Sequence, residues 1–259
     1  MNRIDIYFNK VKENNGKALI PFVTCGADFT VEETVDLVIE LEKEGATVVE
    51  IGIPFRDPLA DGPVIQNAYT KAIANGTKVK DVFRCVELIR GKSEVPVVLM
   101  VYFNVVYFRG IENFIREAAE SGVDGLIVPD VPLEERGEII KACEENGLYL
   151  IPLVARTSKD RIAAITKDAK GFVYCVSTNG TTGERTSLDS GTHEYLEEVR
   201  KIVDIPMCIG FGISSKEVVQ EVKDYCDGVI VGSAIVKRMP EGKQAVIDFV
   251  KDLKEGFNS

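Results

Sequence analysis

Residues 31–53 read VEETVDLVIELEKEGATVVEIGI, and they hold one complete unit of the fold. The first part carries apolar residues at three-and-four spacing and stops at Gly45, which predicts an amphipathic helix. The run TVVEIGI that follows is rich in Val and Ile with little polar alternation. That is the pattern of a parallel strand covered on both faces. The same alternation runs from end to end. Strand-like runs fall at 18–23, 47–53, 97–101, 125–128, 148–154, 171–176, 206–210 and 228–231. Helical patterns lie at 31–45, 79–92, 111–122, 133–147, 159–167, 194–203, 216–225 and 242–254, and a further helix over 3–13 precedes the first strand. Eight strand–helix units in 259 residues predict a closed (β/α)8 TIM barrel, a single domain over 1–259 with an extra N-terminal helix. A doubly wound open sheet would usually show G-x-G-x-x-G after its first strand, whereas here that strand ends PFVTCGADFT.

Composition narrows the function. The chain has 31 Lys+Arg against 41 Asp+Glu, a net charge of −10, which argues against nucleic acid and anionic membrane surfaces as partners. No apolar run is long enough to span a bilayer, and MNRIDIYFNKVKEN has no apolar signal core, so a cytoplasmic location is expected. The six cysteines (Cys25, Cys85, Cys143, Cys175, Cys208 and Cys226) form no C-x-x-C pair and are expected as buried reduced thiols. His193 is the only histidine, which removes His-rich zinc sites and weakens any Ser-His-Asp proposal. It lies in the polar stretch SGTHEYLEE and is expected at the surface with no chemical role. No metal site is expected.

Barrel active sites are built from the loops that follow the strands. Two intervals are long: strand starts 47 and 97 are 50 residues apart, and starts 171 and 206 are 35 apart. The first excess contains PFRDPLADGPVIQ and the second STNGTTGERTSLDSGT. Just before the first stands Glu50, a carboxylate inside an apolar strand. By strand alternation Val48, Glu50 and Gly52 face the barrel interior, while Val49, Ile51 and Ile53 face the helices. A buried carboxylate raises its own pKa, which suits general acid/base work. The bland alternative is a structural carboxylate bonded to backbone or to a tyrosine. Gly52 is expected to leave space above Glu50 for a ligand. Asp57 and Asp61 lie in the loop beyond. Each could be simple turn chemistry, although the position just after Glu50 favours a catalytic role for one of them.

A second constellation suits phosphate. The seventh run leads into Gly210-Phe211-Gly212-Ile213-Ser214-Ser215, and the eighth into Gly232-Ser233-Ala234. Glycines allow close backbone approach, helix starts attract anions, and loops after barrel strands seven and eight often hold phosphate. Gly183 could add a third backbone approach. Other matches fail. Gly91-Lys92-Ser93 lacks the P-loop glycine, since Val86 stands there. Lys17 and Lys170 precede strands and sit at the wrong end for imine chemistry. With carboxylates, a phosphate anchor and no suitable lysine, a carbon–carbon cleavage would need a substrate that supplies its own electron sink.

The stretch EIGIPFRDPLADGPVIQ over 50–66 resembles the tryptophan synthase alpha chain family. PFVTCG, LMVYFN, VPDVPLEE, FVYCVS…TTGER, GFGIS and VGSAIVKR follow its pattern in order across nearly the whole chain. The resemblance implies a (β/α)8 barrel and cleavage of indole-3-glycerol phosphate to indole and glyceraldehyde 3-phosphate. It makes Glu50 the main acid/base residue and Asp61 the acceptor of the indole N–H. It places the indole pocket at Phe22, Met100, Ile127, Leu153 and Tyr174, with Tyr102 also against substrate. It places the phosphate on Gly183, Gly212, Ile213, Gly232 and Ser233, and makes Thr182 the residue that positions the loop aspartate. It implies a beta chain that carries pyridoxal phosphate, an αββα complex with Asp57, Pro58 and Asn104 near the contact, and no cofactor in this chain. The alternative is a self-sufficient lyase releasing free indole. A non-catalytic phosphosugar-binding subunit and another phosphosugar barrel are the further readings. Arg56, where the family usually has Ser, and Thr181, where it usually has Val, depart from the pattern.

Overall fold

The computed structural model describes residues 1–176, 191–210 and 212–258, with Lys159 described by its backbone alone. Nine parallel strands form one sheet: β1 Ala18–Thr24, β2 Val49–Gly52, β3 Val97–Met100, β4 Gly125–Ile127, β5 Tyr149–Leu150, β6 Leu153–Ala155, β7 Val173–Val176, β8 Met207–Gly210 and β9 Gly228–Val231. Their order is β5-β4-β3-β2-β1-β9-β8-β7-β6. The expected eight runs are all present. The fifth is split, because Pro152 has no N–H to give the ladder. Its first half pairs with β4, and Ile151 N–H donates to the Leu126 carbonyl at 2.8 Å. Its second half pairs with β7, and the Pro152 carbonyl accepts from Tyr174 N–H at 3.0 Å. The kinked strand therefore closes the barrel.

Register stacks the interior into layers. Glu50 pairs with Phe22 and Val98, and Gly52 pairs with Thr24 and Met100, which in turn pairs with Ile127. Across the barrel Leu153 pairs with Tyr174. Residues in register share a face of the sheet, so Glu50 and the expected pocket residues point into the same interior. The other end is plugged by helix Arg3–Glu13, whose Ile4 and Phe8 are buried and whose Phe8 ring lies 5.6 Å from Phe172. Asn2 caps this helix by accepting from Ile4 N–H at 2.9 Å. Beside the plug, buried Asp124 accepts from Arg90 at 2.7 Å, Arg3 at 3.1 Å and Val97 N–H at 2.8 Å.

The outer layer departs from expectation in places. Helix Gly137–Glu145 is shorter than the predicted 133–147, since Glu135 N–H bonds the Pro132 carbonyl in a turn. The predicted helix over 159–167 is a 3-10 turn, Arg156–Arg161, followed by Ile162–Thr166. Two helices go unread in the sequence. Phe103–Arg109 follows β3 directly, and its residues FNVVYFR have strand-like composition. Pro63–Ala74 occupies much of the long interval after β2. Pro63 stands at its first turn, where a missing N–H costs nothing. Its buried Ile65, Ala68, Tyr69 and Ala72 keep helical spacing, but the turn residues ahead of them mask where the pattern begins. All six cysteines are free and buried.

Candidate active site

Glu50 projects from β2 into the barrel and is 1% exposed. Its Oε2 has no hydrogen-bond partner. Burial, and then repulsion from Asp61, pushes its carboxyl up to about 8, so at neutral pH it holds a proton. Asp61 reaches the same space from the loop after β2 and is fully buried. Tyr102, at the start of helix Phe103–Arg109, donates to Asp61 Oδ2 at 2.7 Å. Burial pushes the Asp61 carboxyl up to about 6, and the Tyr102 hydroxyl opposes this. The two carboxyls thus differ in proton affinity, which separates an acid from a charge-bearing partner.

Four contacts hold the loop that carries Asp61. Its N–H bonds the Pro58 carbonyl at 3.0 Å, and its own carbonyl accepts from Gln66 Nε2 at 2.7 Å. Ala60 N–H donates to Tyr102 Oη at 3.1 Å, while Phe55 stacks on the Tyr102 ring at 5.2 Å. Asp130 accepts from Phe103 N–H at 2.9 Å and so caps the helix that Tyr102 begins.

Around the carboxyls lie Phe22, Met100, Ile127 and Tyr174, all buried, with Leu153 half-buried. Tyr174 faces both acids across the barrel, since each raises its hydroxyl's proton affinity after burial does. Gly210 makes room for that ring, because a Cβ there would lie 2.5 Å from Tyr174 Cε1. Gly52 behaves differently from the expectation of open space. A Cβ there would lie 2.5 Å from Tyr69 Oη and 2.6 Å from Phe22 Cζ, so these two rings occupy the volume over Gly52.

At the other side of the mouth Gly212 has φ of 89°, a conformation that requires glycine, and Ile213 is buried. The Gly232 carbonyl accepts from Ile235 and Val236 N–H at 2.9 and 3.0 Å, which starts the short helix Ser233–Val236. Ser233 Oγ is buried without a partner. A Cβ on Gly232 would lie 3.8 Å from Phe22 Cβ, so this turn adjoins the apolar pocket. Thr181, Thr182, Gly183 and Phe211 lie outside the described residues.

Nine buried side-chain polar atoms lack a partner among the described residues, and five gather here: Thr24 Oγ1, Glu50 Oε2, Asp61 Oδ1, Tyr69 Oη and Ser233 Oγ. Native folds leave few such atoms, so a cluster of them marks a place that a polar ligand completes. Thr24 and Tyr69 carry no role in the sequence reading. The helical stripe through Tyr69 is the signal that could have found it. Elsewhere, His193 is not a simple surface residue. It is half-buried and stacks on Tyr225 at 4.2 Å, with Nε2 unpartnered.

On the rim, Asp57 and Asn104 are exposed, but Pro58 is buried and its neighbour Leu59 stands out at 83% exposure. Tyr107 and Phe108 are 69% and 91% exposed. Among the described residues, no helix is long and apolar enough to cross a membrane, and no group of three or more His, Cys, Asp or Glu is placed to hold a metal ion.

Residues 8–258 match the family model described as tryptophan synthase alpha chain. The tryptophan synthase alpha chain of Clostridium beijerinckii is 87% identical over 99% of this chain and 100% of its own length. That of Thermoanaerobacter pseudethanolicus is 48% identical over 98% and 99%. Among solved structures, tryptophan synthase subunit alpha from Legionella pneumophila is similar with a TM-score of 0.91, at 35% identity over 100% of this chain and 99% of that one.

Proposed function

The chain belongs to the tryptophan synthase alpha chain family, and from that premise we propose that it cleaves indole-3-glycerol phosphate to indole and glyceraldehyde 3-phosphate. It is a lyase-type chain of tryptophan biosynthesis. The observation that carries the reaction is the buried pair of carboxyls, with Glu50 protonated near neutrality and Asp61 aimed into the same apolar pocket.

The chemistry follows from the pair. Glu50 gives its proton to indole C3, which makes the ring an indoleninium and supplies the electron sink. Asp61 accepts a hydrogen bond from the ring N–H through its unpartnered Oδ1 and balances the positive charge. The Glu50 carboxylate left behind takes the proton from the side-chain hydroxyl. The carbon–carbon bond then breaks, its electrons return to the ring, and the aldehyde forms. Acid/base catalysis of this kind contributes roughly 10²–10⁴-fold. Phe22, Met100, Ile127, Leu153 and Tyr174 hold the indole. Backbone at Gly212, Ile213, Gly232 and Ser233, with Gly183, holds the phosphate. Thr182 positions Asp61.

The relatives carry the name of a chain of a larger synthase, which favours a subunit over the self-sufficient lyase. The partner is a beta chain, assembled as αββα, and pyridoxal phosphate belongs to that chain. The exposed Leu59, Tyr107 and Phe108, beside Asp57 and Asn104, support a contact at this rim. The setting is the cytoplasm. The deciding test measures indole released from indole-3-glycerol phosphate by wild type and Glu50→Gln, with and without a beta chain. The proposal expects slow wild-type turnover, acceleration by the partner and loss in the variant. Full activity in Glu50→Gln would overturn the acid/base assignment.

A further inference from the structure

Tyr69 sits on helix Pro63–Ala74 with its side chain in the barrel mouth, and it is fully buried. Its hydroxyl has no partner, although it lies over Gly52, two residues beyond Glu50. The same helix already touches Asp61. Gln66, three residues earlier on the same face, donates to the Asp61 carbonyl. Asp61 uses one carboxylate oxygen for Tyr102 and leaves the other, Oδ1, without a partner. A buried phenol and a buried carboxylate oxygen are therefore both unsatisfied in one small space.

We propose that Tyr69 is a positioning residue: as substrate seats, its hydroxyl donates to the Asp61 carboxylate and completes, with Tyr102, a two-hydroxyl clamp that holds Asp61 ionised toward the ring N–H. The inference rests on the proposed cleavage reaction. Apart from burial, Asp61 is the strongest influence on the Tyr69 hydroxyl, ahead of Tyr102 and Glu50, and all of these keep it protonated and able to donate. The groups that face the site are Glu50 from β2, Tyr102 after β3 and Tyr174 from β7. No Lys or Arg among the described residues acts on either carboxyl. Hydroxyl donors are thus what favours the ionised form of Asp61. A second donor strengthens that preference most when positive charge develops on the ring.

Tyr69→Phe removes the hydroxyl and keeps the ring. The test follows indole release from indole-3-glycerol phosphate against pH for wild type, Tyr69→Phe and Tyr102→Phe, each with the beta chain present, together with melting of the ligand-free chains. A hydrogen bond to a charged group implies a kcat roughly 10- to 100-fold lower in Tyr69→Phe. The acid limb of the kcat profile should move up by about one pH unit, since Asp61 then ionises later. KM should change little. Melting of Tyr69→Phe should be no lower than wild type, because the lost hydroxyl had no partner. Tyr102→Phe should move the same limb in the same direction and also lower the melting temperature, since it breaks a bond already formed. An unchanged kcat and acid limb in Tyr69→Phe would overturn the inference, as would a loss confined to KM. Wild type that releases no indole would overturn the proposed function, and the clamp with it.

Discussion

Glu50→Gln should stabilise the fold while abolishing turnover, and the gain should depend on pH. In the folded chain the carboxyl titrates at about 8, against 4.5 in the unfolded chain. Below 4.5 it is protonated in both states, and wild type and variant should unfold alike. As pH rises from 4.5 to 8 only the unfolded chain releases the proton, so wild-type stability falls by about 1.4 kcal/mol per unit. Glutamine has no proton to release and escapes this loss. At pH 7 the variant should therefore be more stable by about 3 kcal/mol, rising to about 5 kcal/mol above pH 8, where the folded carboxyl ionises too. That is a large fraction of the roughly 5–15 kcal/mol of a typical domain. Urea unfolding of both proteins at several values between pH 5 and 9 measures the difference directly, and other titrating groups cancel between them. A difference that stays flat with pH would refute the reasoning, because it would mean that Glu50 ionises alike folded and unfolded. So would a variant less stable than wild type at pH 7.

Four further outcomes are expected. The kcat/KM profile for indole release should be bell-shaped, falling below about pH 6 as Asp61 takes up a proton and above about pH 8 as Glu50 loses one. Gly52→Ala should force apart the Tyr69 and Phe22 rings, costing about 1–3 kcal/mol in urea unfolding and lowering turnover, since both rings line the site. Arg90→Ala leaves Asp124 buried with only the longer Arg3 ion pair and the Val97 N–H bond. It should cost about 3–5 kcal/mol in urea unfolding, with indole release per folded molecule unchanged, because this ion cluster lies at the opposite end of the barrel. Phe108→Ser should weaken beta-chain binding roughly 10- to 100-fold by calorimetry, as expected for one buried aromatic anchor, while release by the chain alone stays as it was.

The barrel was legible in residues 31–53 and their repeats because parallel strands buried on both faces need unbroken apolar runs, and covering helices need periodic ones. The same logic singled out Glu50, since a carboxylate inside such a run must be neutral, paired or functional. Asp61 could be suspected only from its loop, because Asp-Pro and Asp-Gly are also plain turn chemistry. Tertiary structure decided what those residues meet. Pairing across the barrel brought Tyr174 opposite Glu50, and the helix hidden behind RDPLADGP placed Tyr69 over Gly52 where open space was expected. It likewise buried Pro58, exposed Leu59 and stacked His193 on Tyr225. The division has a physical cause. Periodicity and residue type are local properties, written along the chain. Which polar atoms end unpartnered beside one another depends on contacts between residues far apart in sequence, and those exist only once the barrel has closed.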